Sequence, residues 1–198
     1  MAETAATAET RGWSPYPSLT SEADGIAHVF EKIDGSNASV LRDDAGVVHY
    51  FSRNRELGPG DKFHGFQSMF SAAITDALPA GIVVYGELFG GWDGVTSQSC
   101  VMKRVAYGLR KRFVAFDAMS LATRDFFSYN GLCSLCERLG IDYVKPVHAG
   151  PVGETFAWCA ANCESFQTTY GVDIHPKCPD DARIAEVRYS NIFPLTVH

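Results

Sequence analysis

The sequence contains no long run of apolar residues. Its 198 residues are 46% hydrophobic, which is enough for a substantial core, yet no apolar stretch reaches the roughly 20 residues of a membrane-spanning helix. Residues 1–11 are mostly Ala, Thr and Glu with one basic residue, so they lack the basic and apolar regions of a signal or transit peptide. This composition predicts a disordered tail over residues 1–12, one domain over residues 13–198, and a cytosolic or nuclear location without membrane attachment.

Positive charge is also scarce. The chain has 17 Lys and Arg against 23 Asp and Glu, a net charge of −6. Affinity for a phosphate backbone comes largely from cations, so this balance argues against a broadly basic nucleic-acid-binding surface. Local basic clusters remain at residues 103–104 and 110–112 and at the pair Arg53 and Arg55. They could line one groove, or they could be ordinary solvated charge.

Six cysteines are present, but the context for disulfides is absent. Without a secretory signal, reduced thiols are expected. The spacings of Cys133 with Cys136 and of Cys159 with Cys163 would also suit zinc. Both pairs fall in segments with the pattern of an amphipathic helix, whereas structural zinc pairs usually lie on turns. The sequence therefore favours cysteine as a small core residue over a zinc site.

The apolar pattern predicts short strands with a few helices inserted between them. Strands are expected over residues 26–33, 36–42, 47–52, 82–88, 112–119, 143–147 and 184–189. Helices are expected over residues 61–78, 129–139 and 154–170, the second with Ser128 as N-cap and Gly140 as its C-terminal stop. Short strands joined by turns predict an α+β domain with mainly antiparallel sheets.

The segment Lys32-Ile33-Asp34-Gly35 is the most informative part of the sequence. It places a lysine amine at the end of an apolar strand, beside a carboxylate and a glycine. Such a lysine becomes a nucleophile when partial burial and nearby cations lower its pKa. The alternative is a β-hairpin whose Asp-Gly turn needs a positive φ and whose lysine points into water.

Three further segments that carry charged or aromatic residues follow this one, at residues 52–55, 84–90 and 113–117. Together with residues 30–40 they resemble the motif series of the covalent nucleotidyltransferases. Within these, the series is most similar to the RNA ligase 2 and RNA-editing ligase branch of the ATP-dependent RNA ligases. The resemblance runs from about residue 16 to about residue 186 and implies a nucleotidyltransferase (ATP-grasp-like ligase) domain. Asp34 departs from this branch, which often has histidine there, and matches the wider superfamily.

The resemblance implies a chemical role for each motif residue. Lys32 would attack the α-phosphorus of ATP, expel pyrophosphate and hold AMP as a phosphoramidate. Asp34 and Asn37 would organise the ribose and the metal-water shell, and Arg53 would contact a phosphate or the bound nucleotide. Glu87 would engage the ribose or Mg²⁺. These residue types suit nucleotidyl transfer, which requires alignment of an in-line attack and neutralisation of phosphate charge.

Two further positions would recognise the base. By resemblance, Glu31 would read the adenine edge and Phe116 would stack on the ring. The setting of Phe116 in an apolar run fits a core aromatic equally well. Glu87 is different, because a carboxylate in an apolar strand is costly without partners, so it points to a polar cleft or a metal.

The C-terminal part departs from the family pattern. Glu186 matches a family glutamate and is a second candidate metal ligand, but the glycine that follows it in the family is missing. The two lysines of the next family strand have no match, because residues 191–198 contain no lysine. The domain is therefore expected to be C-terminally incomplete. Alternatively, Lys177, Arg188 or a protein partner supplies the missing phosphate contacts, or the chain is a degenerate relative.

The sequence thus predicts an ATP-dependent RNA ligase-like adenylyltransferase that uses ATP and Mg²⁺ and joins RNA ends, 5′-phosphate to 3′-hydroxyl. A capping guanylyltransferase or a DNA ligase shares the Lys-x-Asp-Gly motif, but both usually continue into an OB-fold domain. A relative that binds nucleotide or RNA without catalysis is the alternative from another class, and the missing lysines favour it.

Overall fold

The computed structural model of the protein describes residues 26–97, 99–102, 105–162, 172–173 and 184–189. The strands are β1 (Ile26–Glu31), β2 (Ser36–Arg42), β3 (Val48–Ser52), β4 (Ile82–Phe89), β5 (Val105–Ala106), β6 (Arg112–Ser120), β7 (His148–Pro151), β8 (Val172–Asp173) and β9 (Ile184–Tyr189). The helices are α1 (Ala72–Ala77), α2 (Tyr129–Leu139) and α3 (Val152–Asn162), with a 3-10 segment at Phe63–Met69. The tail predicted for residues 1–12 lies outside the described residues.

Two antiparallel sheets organise the described part of the chain. One has the strand order β3-β2-β4-β6, and the other has the order β7-β1-β9. A short antiparallel ladder joins β5 to β8. Every pair in both sheets is antiparallel, and the helices are inserted between strands. This arrangement confirms the predicted α+β class with mainly antiparallel sheets.

The four-stranded sheet carries a core cluster on each face. One cluster joins Val40, Val84 and Ala115 to the buried face of α2. The other joins alternate residues of the same strands, among them Tyr85, to Phe30 of β1. Because side chains alternate along a strand, the sheet is buried on both faces. The second cluster therefore lies where β1 meets the four-stranded sheet.

Helix α2 follows its sequence signals closely. The Ser128 hydroxyl accepts a hydrogen bond from the Gly131 N–H at 3.2 Å, and Gly140 ends the helix with φ 66°. Cys136 of this helix is fully buried, and burial raises the pKa of its thiol to about 12. It packs as a small apolar side chain. The side chains of Cys159 and Cys163 lie outside the described residues.

The helix predicted over residues 61–78 is wrong. The chain instead forms the 3-10 segment, with positive φ at His64 and Gly65, and then a separate short helix α1. The Ser71 hydroxyl accepts from the Ile74 N–H at 3.4 Å and begins α1 as its N-cap. The apolar pattern predicts one continuous helix, but left-handed backbone at Gly65 and the N-cap at Ser71 divide the segment.

The strand predicted over residues 143–147 is also wrong, because this segment crosses between the sheets. The Val144 N–H donates to Ala115 O at 2.9 Å in one sheet, and the Val147 N–H donates to Val29 O at 2.8 Å in the other. Pro146, which has no N–H, lies between them. Strand β7 begins at His148. The last helix, predicted over residues 154–170, is described as α3 up to Asn162, and residues 163–170 lie outside the description.

None of the helices in the described part of the chain is long and apolar enough to cross a membrane.

Candidate active site

Lys32 lies in the loop that leads from β1 in one sheet to β2 in the other. Its side chain is exposed, while its neighbours Glu31 and Ile33 are only 5% and 7% exposed. Ile33 belongs to the core cluster between β1 and the four-stranded sheet. The buried neighbours anchor the backbone on both sides of the lysine. Because β1 and β2 belong to different sheets, the hairpin interpretation of this motif is wrong.

Gly35 lets this loop lie directly against the end of β4. A Cβ at Gly35 would be 3.0 Å from Glu87 Cγ and 3.1 Å from Glu87 Oε1, and closer still to the carbonyl oxygen of Leu88. Gly35 is not among the glycines with positive φ. The motif therefore needs glycine for close approach rather than for a left-handed turn. This contact brings the carboxylate of Glu87 to the lysine-bearing loop.

A tyrosine that the sequence analysis did not identify also holds this loop. The Asp34 N–H donates to the Tyr107 hydroxyl at 2.9 Å. Tyr107 is 8% exposed, and its ring packs edge-on against Phe89, with centroids 4.9 Å apart. It lies 73 positions from Asp34 in the sequence, directly after β5, so no local pattern indicates the contact.

Asn37 and Glu87 stand opposite each other in the β2–β4 ladder. They occupy the same face of the sheet as the next pair, Ser39 with Tyr85, because alternate residues share a face. That face carries the core cluster shared with β1, of which Tyr85 is a member. Asn37 and Glu87 are half-buried, so they form a polar margin beside the apolar cluster on this face.

Phe116 lies in this same cluster and is 6% exposed. Tyr85 pairs with Asp117 and Gly86 pairs with Ala115, which leaves Phe116 as the extra residue of a β-bulge. Bulges re-aim side chains and commonly lie next to functional sites. The ring is therefore positioned at an irregularity of the sheet, on the face that also carries Glu87. The ring also packs as a member of the core cluster on this face.

The other predicted site residues lie on other strands and turns or outside the described residues. Arg53 is exposed in the turn after β3, one step beyond the last β2–β3 pair, Ala38 with Ser52. Glu186 pairs with Phe30 in the β1–β9 ladder, but only its backbone is described. Lys177 lies outside the described residues. Arg188 stands opposite His28 in the same ladder.

Two cations of the predicted basic clusters make contacts within the protein. Lys111 Nζ donates to His64 O at 3.1 Å, and an Arg112 guanidinium nitrogen lies 3.2 Å from a carboxylate oxygen of Asp142. The same guanidinium lies over the Phe89 ring, 5.4 Å from its centroid. These contacts support the fold around β4 and β6. Residues 103 and 104 lie outside the description.

His28 lies on β1, two residues before Phe30. Its ring packs against the Tyr129 ring at a tilt of 36° with centroids 4.9 Å apart, and its Nδ1 is buried without a hydrogen-bond partner among the described residues. Burial lowers the pKa of this imidazole. Within the described part of the chain, no cluster of three or more His, Cys, Asp or Glu side chains could hold a metal ion by itself.

The sequence model of the RNA ligase family matches residues 26–177. The chain belongs to the RNA ligase family. The match begins at β1 and includes the lysine-bearing loop, β2 to β8 and the helices. Among curated protein sequences, none matches this chain.

Solved structures support the fold of this RNA ligase family member. A Naegleria gruberi RNA ligase mutant with ATP and Mn is 19% identical, with a TM-score of 0.53, and the match covers 70% of this chain and 40% of that one. An archaeal ATP-dependent RNA ligase is 17% identical, also with a TM-score of 0.53, over 76% of this chain and 42% of that one. The chain therefore spans about two fifths of the length of these ligases.

Proposed function

We propose that this chain is the adenylyltransferase part of an ATP-dependent RNA ligase, with Lys32 as the nucleophile. The observation that carries the proposal is the close approach at Gly35, which holds the lysine-bearing loop against Glu87. The loop that carries the Lys32 amine is thereby held beside the carboxylate of Glu87. Family membership and the fold shared with ligases solved with ATP and Mn support this chemistry.

The first step would be self-adenylation. The Lys32 nitrogen, after losing a proton, forms a bond to the α-phosphorus of ATP, and the bond from that phosphorus to the pyrophosphate oxygen breaks. An oxygen of an RNA 5′-phosphate then displaces the lysine from AMP, which gives an adenylated RNA end. Attack by an RNA 3′-hydroxyl releases AMP and seals the strand. Each step is an in-line displacement, which depends chiefly on alignment and on neutralising phosphate charge.

The residues around Lys32 would hold the nucleotide. Phe116 would offer its ring to the adenine, and Glu31 would accept hydrogen bonds from the base edge. Asn37 and Asp34 would bind the ribose and ordered water. Arg53, exposed beside the last β2–β3 pair, would reach a phosphate.

Glu87 would be the main protein ligand of Mg²⁺, with Glu186 as a second candidate on β9. Mg²⁺ is usually bound through one or two carboxylates together with substrate phosphates and water, so the donors fit even though the described residues contain no closed metal cage. When bound, the ion supplies charge neutralisation at the phosphate oxygens.

Sealing of RNA requires more than the described site. The chain spans about two fifths of the length of the ligases it matches. We therefore propose that a further segment or a partner protein supplies the remaining phosphate contacts and much of the RNA-binding surface.

Labelling with ATP tests the proposal directly. Incubation with Mg²⁺ and ATP labelled in the α-phosphate should attach acid-stable label to Lys32, whereas labelled GTP should give little. Lys32→Ala should abolish the label, and Lys62→Ala, which changes another exposed lysine, should leave it intact. Peptide mapping that places AMP on another residue, or preferential labelling by GTP, would exclude this assignment.

The absence of lysine from residues 191–198 favours a second candidate, a nucleotide-binding relative without catalysis. Such a protein would bind ATP in the same cleft, but its Lys32 would not become labelled with AMP. Equilibrium ATP binding measured beside the labelling assay separates the two. Binding that Phe116→Leu weakens, without any lysyl-AMP, would support the non-catalytic function.

A further inference from the structure

Tyr107 connects the lysine-bearing loop to the strand that carries Glu87. Its hydroxyl accepts the hydrogen bond from the Asp34 N–H, two residues after Lys32. Its ring packs against Phe89, two residues after Glu87, with the ring planes at 72°. One side chain thus contacts both the lysine-bearing loop and β4.

The backbone around Tyr107 is itself held in place. The N–H groups of Gly91 and Trp92 both donate to Gly108 O at 2.9 Å, so the residue after Tyr107 is joined to the loop after β4. On its other side, Ala106 pairs with Val172 in the β5–β8 ladder. The hydroxyl therefore projects from a fixed support rather than from a free loop.

The two contacts on the loop act at successive residues. Tyr107 restrains Asp34 through its N–H, and β4 restrains Gly35 by close packing. The Lys32 side chain is exposed, and the backbone of the loop sets the point and the direction from which it extends. Rates of in-line displacement are sensitive to misplacement on the order of 1 Å.

We propose that Tyr107 is a positioning residue whose hydroxyl fixes the orientation of the Lys32 loop and thereby sets the rate of lysyl-adenylate formation. The proposal rests on the proposed function for the rate, but the restraint on the loop is a property of the protein alone. Its ring contributes packing, and its hydroxyl contributes the orientation.

Tyr107→Phe separates these contributions, because it keeps the ring against Phe89 and removes the hydroxyl that accepts from the Asp34 N–H. Tyr143→Phe is the matched control. Tyr143 donates its hydroxyl hydrogen bond to Glu137 at 2.8 Å, and its ring packs against the core cluster on the opposite face of the sheet.

Two measurements are needed. Single-turnover labelling at saturating ATP should be slowed about tenfold in Tyr107→Phe, while the ATP concentration for half-maximal rate stays within about twofold. Hydrogen exchange of the Asp34 amide, followed without nucleotide, should accelerate about tenfold. Tyr143→Phe should match the wild type in both.

The outcomes distinguish this proposal from the proposed function. An unchanged labelling rate, or a loss confined to ATP affinity, would overturn the positioning role. If the wild type forms no lysyl-adenylate, the proposed function fails, and amide exchange still decides whether the hydroxyl restrains the loop. Faster exchange in Tyr107→Phe supports that restraint, and unchanged exchange overturns it.

Discussion

Gly35→Ala should impair self-adenylation while leaving the protein folded. The new Cβ would lie 3.0 Å from Glu87 Cγ and would press hardest on the carbonyl oxygen of Leu88. Because that oxygen belongs to the backbone of a central strand, it cannot turn away as a flexible side chain would. The loop must therefore move by on the order of 1 Å, and overpacking of this kind costs about 1–3 kcal/mol.

This cost leaves the protein folded but should impair self-adenylation. A loss of 1–3 kcal/mol lowers the melting temperature of a domain of this size by about 2–12 °C. A stability of about 5–15 kcal/mol would still keep nearly all molecules native at 20 °C. Misplacement of the lysine by about 1 Å should slow lysyl-AMP formation by about 100-fold.

The assay compares Gly35→Ala with Gly58→Ala by single-turnover labelling and thermal unfolding. A Cβ at Gly58 would meet nothing within 4 Å, and the backbone there is not left-handed, so this variant controls for the substitution itself. Wild-type labelling by a folded Gly35→Ala protein would refute the reasoning, because it would show that the loop tolerates displacement from β4.

Four further predictions follow from the site and the fold. Glu87→Ala should slow metal-dependent labelling more than tenfold, about 1.4 kcal/mol in barrier height, as single-turnover rates will show. Phe116→Leu should chiefly weaken ATP binding measured by titration. Because burial lowers the folded-state pKa of His28, stability should fall as pH drops below its ordinary value of 6.5, and His28→Phe should reduce this loss in denaturant titrations. Ser128→Ala should cost about 1 kcal/mol of unfolding free energy by removing the cap of α2.

The sequence predicted those elements whose ends are set by neighbouring residues. Helix α2 has both its cap and its terminating glycine in the sequence, and β2 forms over the predicted residues. The order of the motifs also predicts that Lys32 and Glu87 belong to one site. The structure places the two residues at adjoining elements.

Features set by distant contacts could not be predicted in this way. Tyr107 is an ordinary aromatic in an apolar run until the fold brings it to Asp34. The role of Gly35 likewise depends on β4, about 50 residues later. Pro146 marked an interruption, but only the pairing of Val144 and Val147 with different sheets reveals that the chain crosses there.

The pairing of β1 affects when this protein can become functional during synthesis. Ile26 pairs with Pro151, 125 residues later (151 − 26), and the other edge of β1 pairs with residues from 184 onward. At about 5–20 residues per second, the ribosome needs roughly 6–25 s to make the first partner of this strand. The four-stranded sheet is complete by Ser120 and can form earlier. The four strands of this sheet would thus be available for pairing first, while the strand that leads into Lys32 waits for its neighbours.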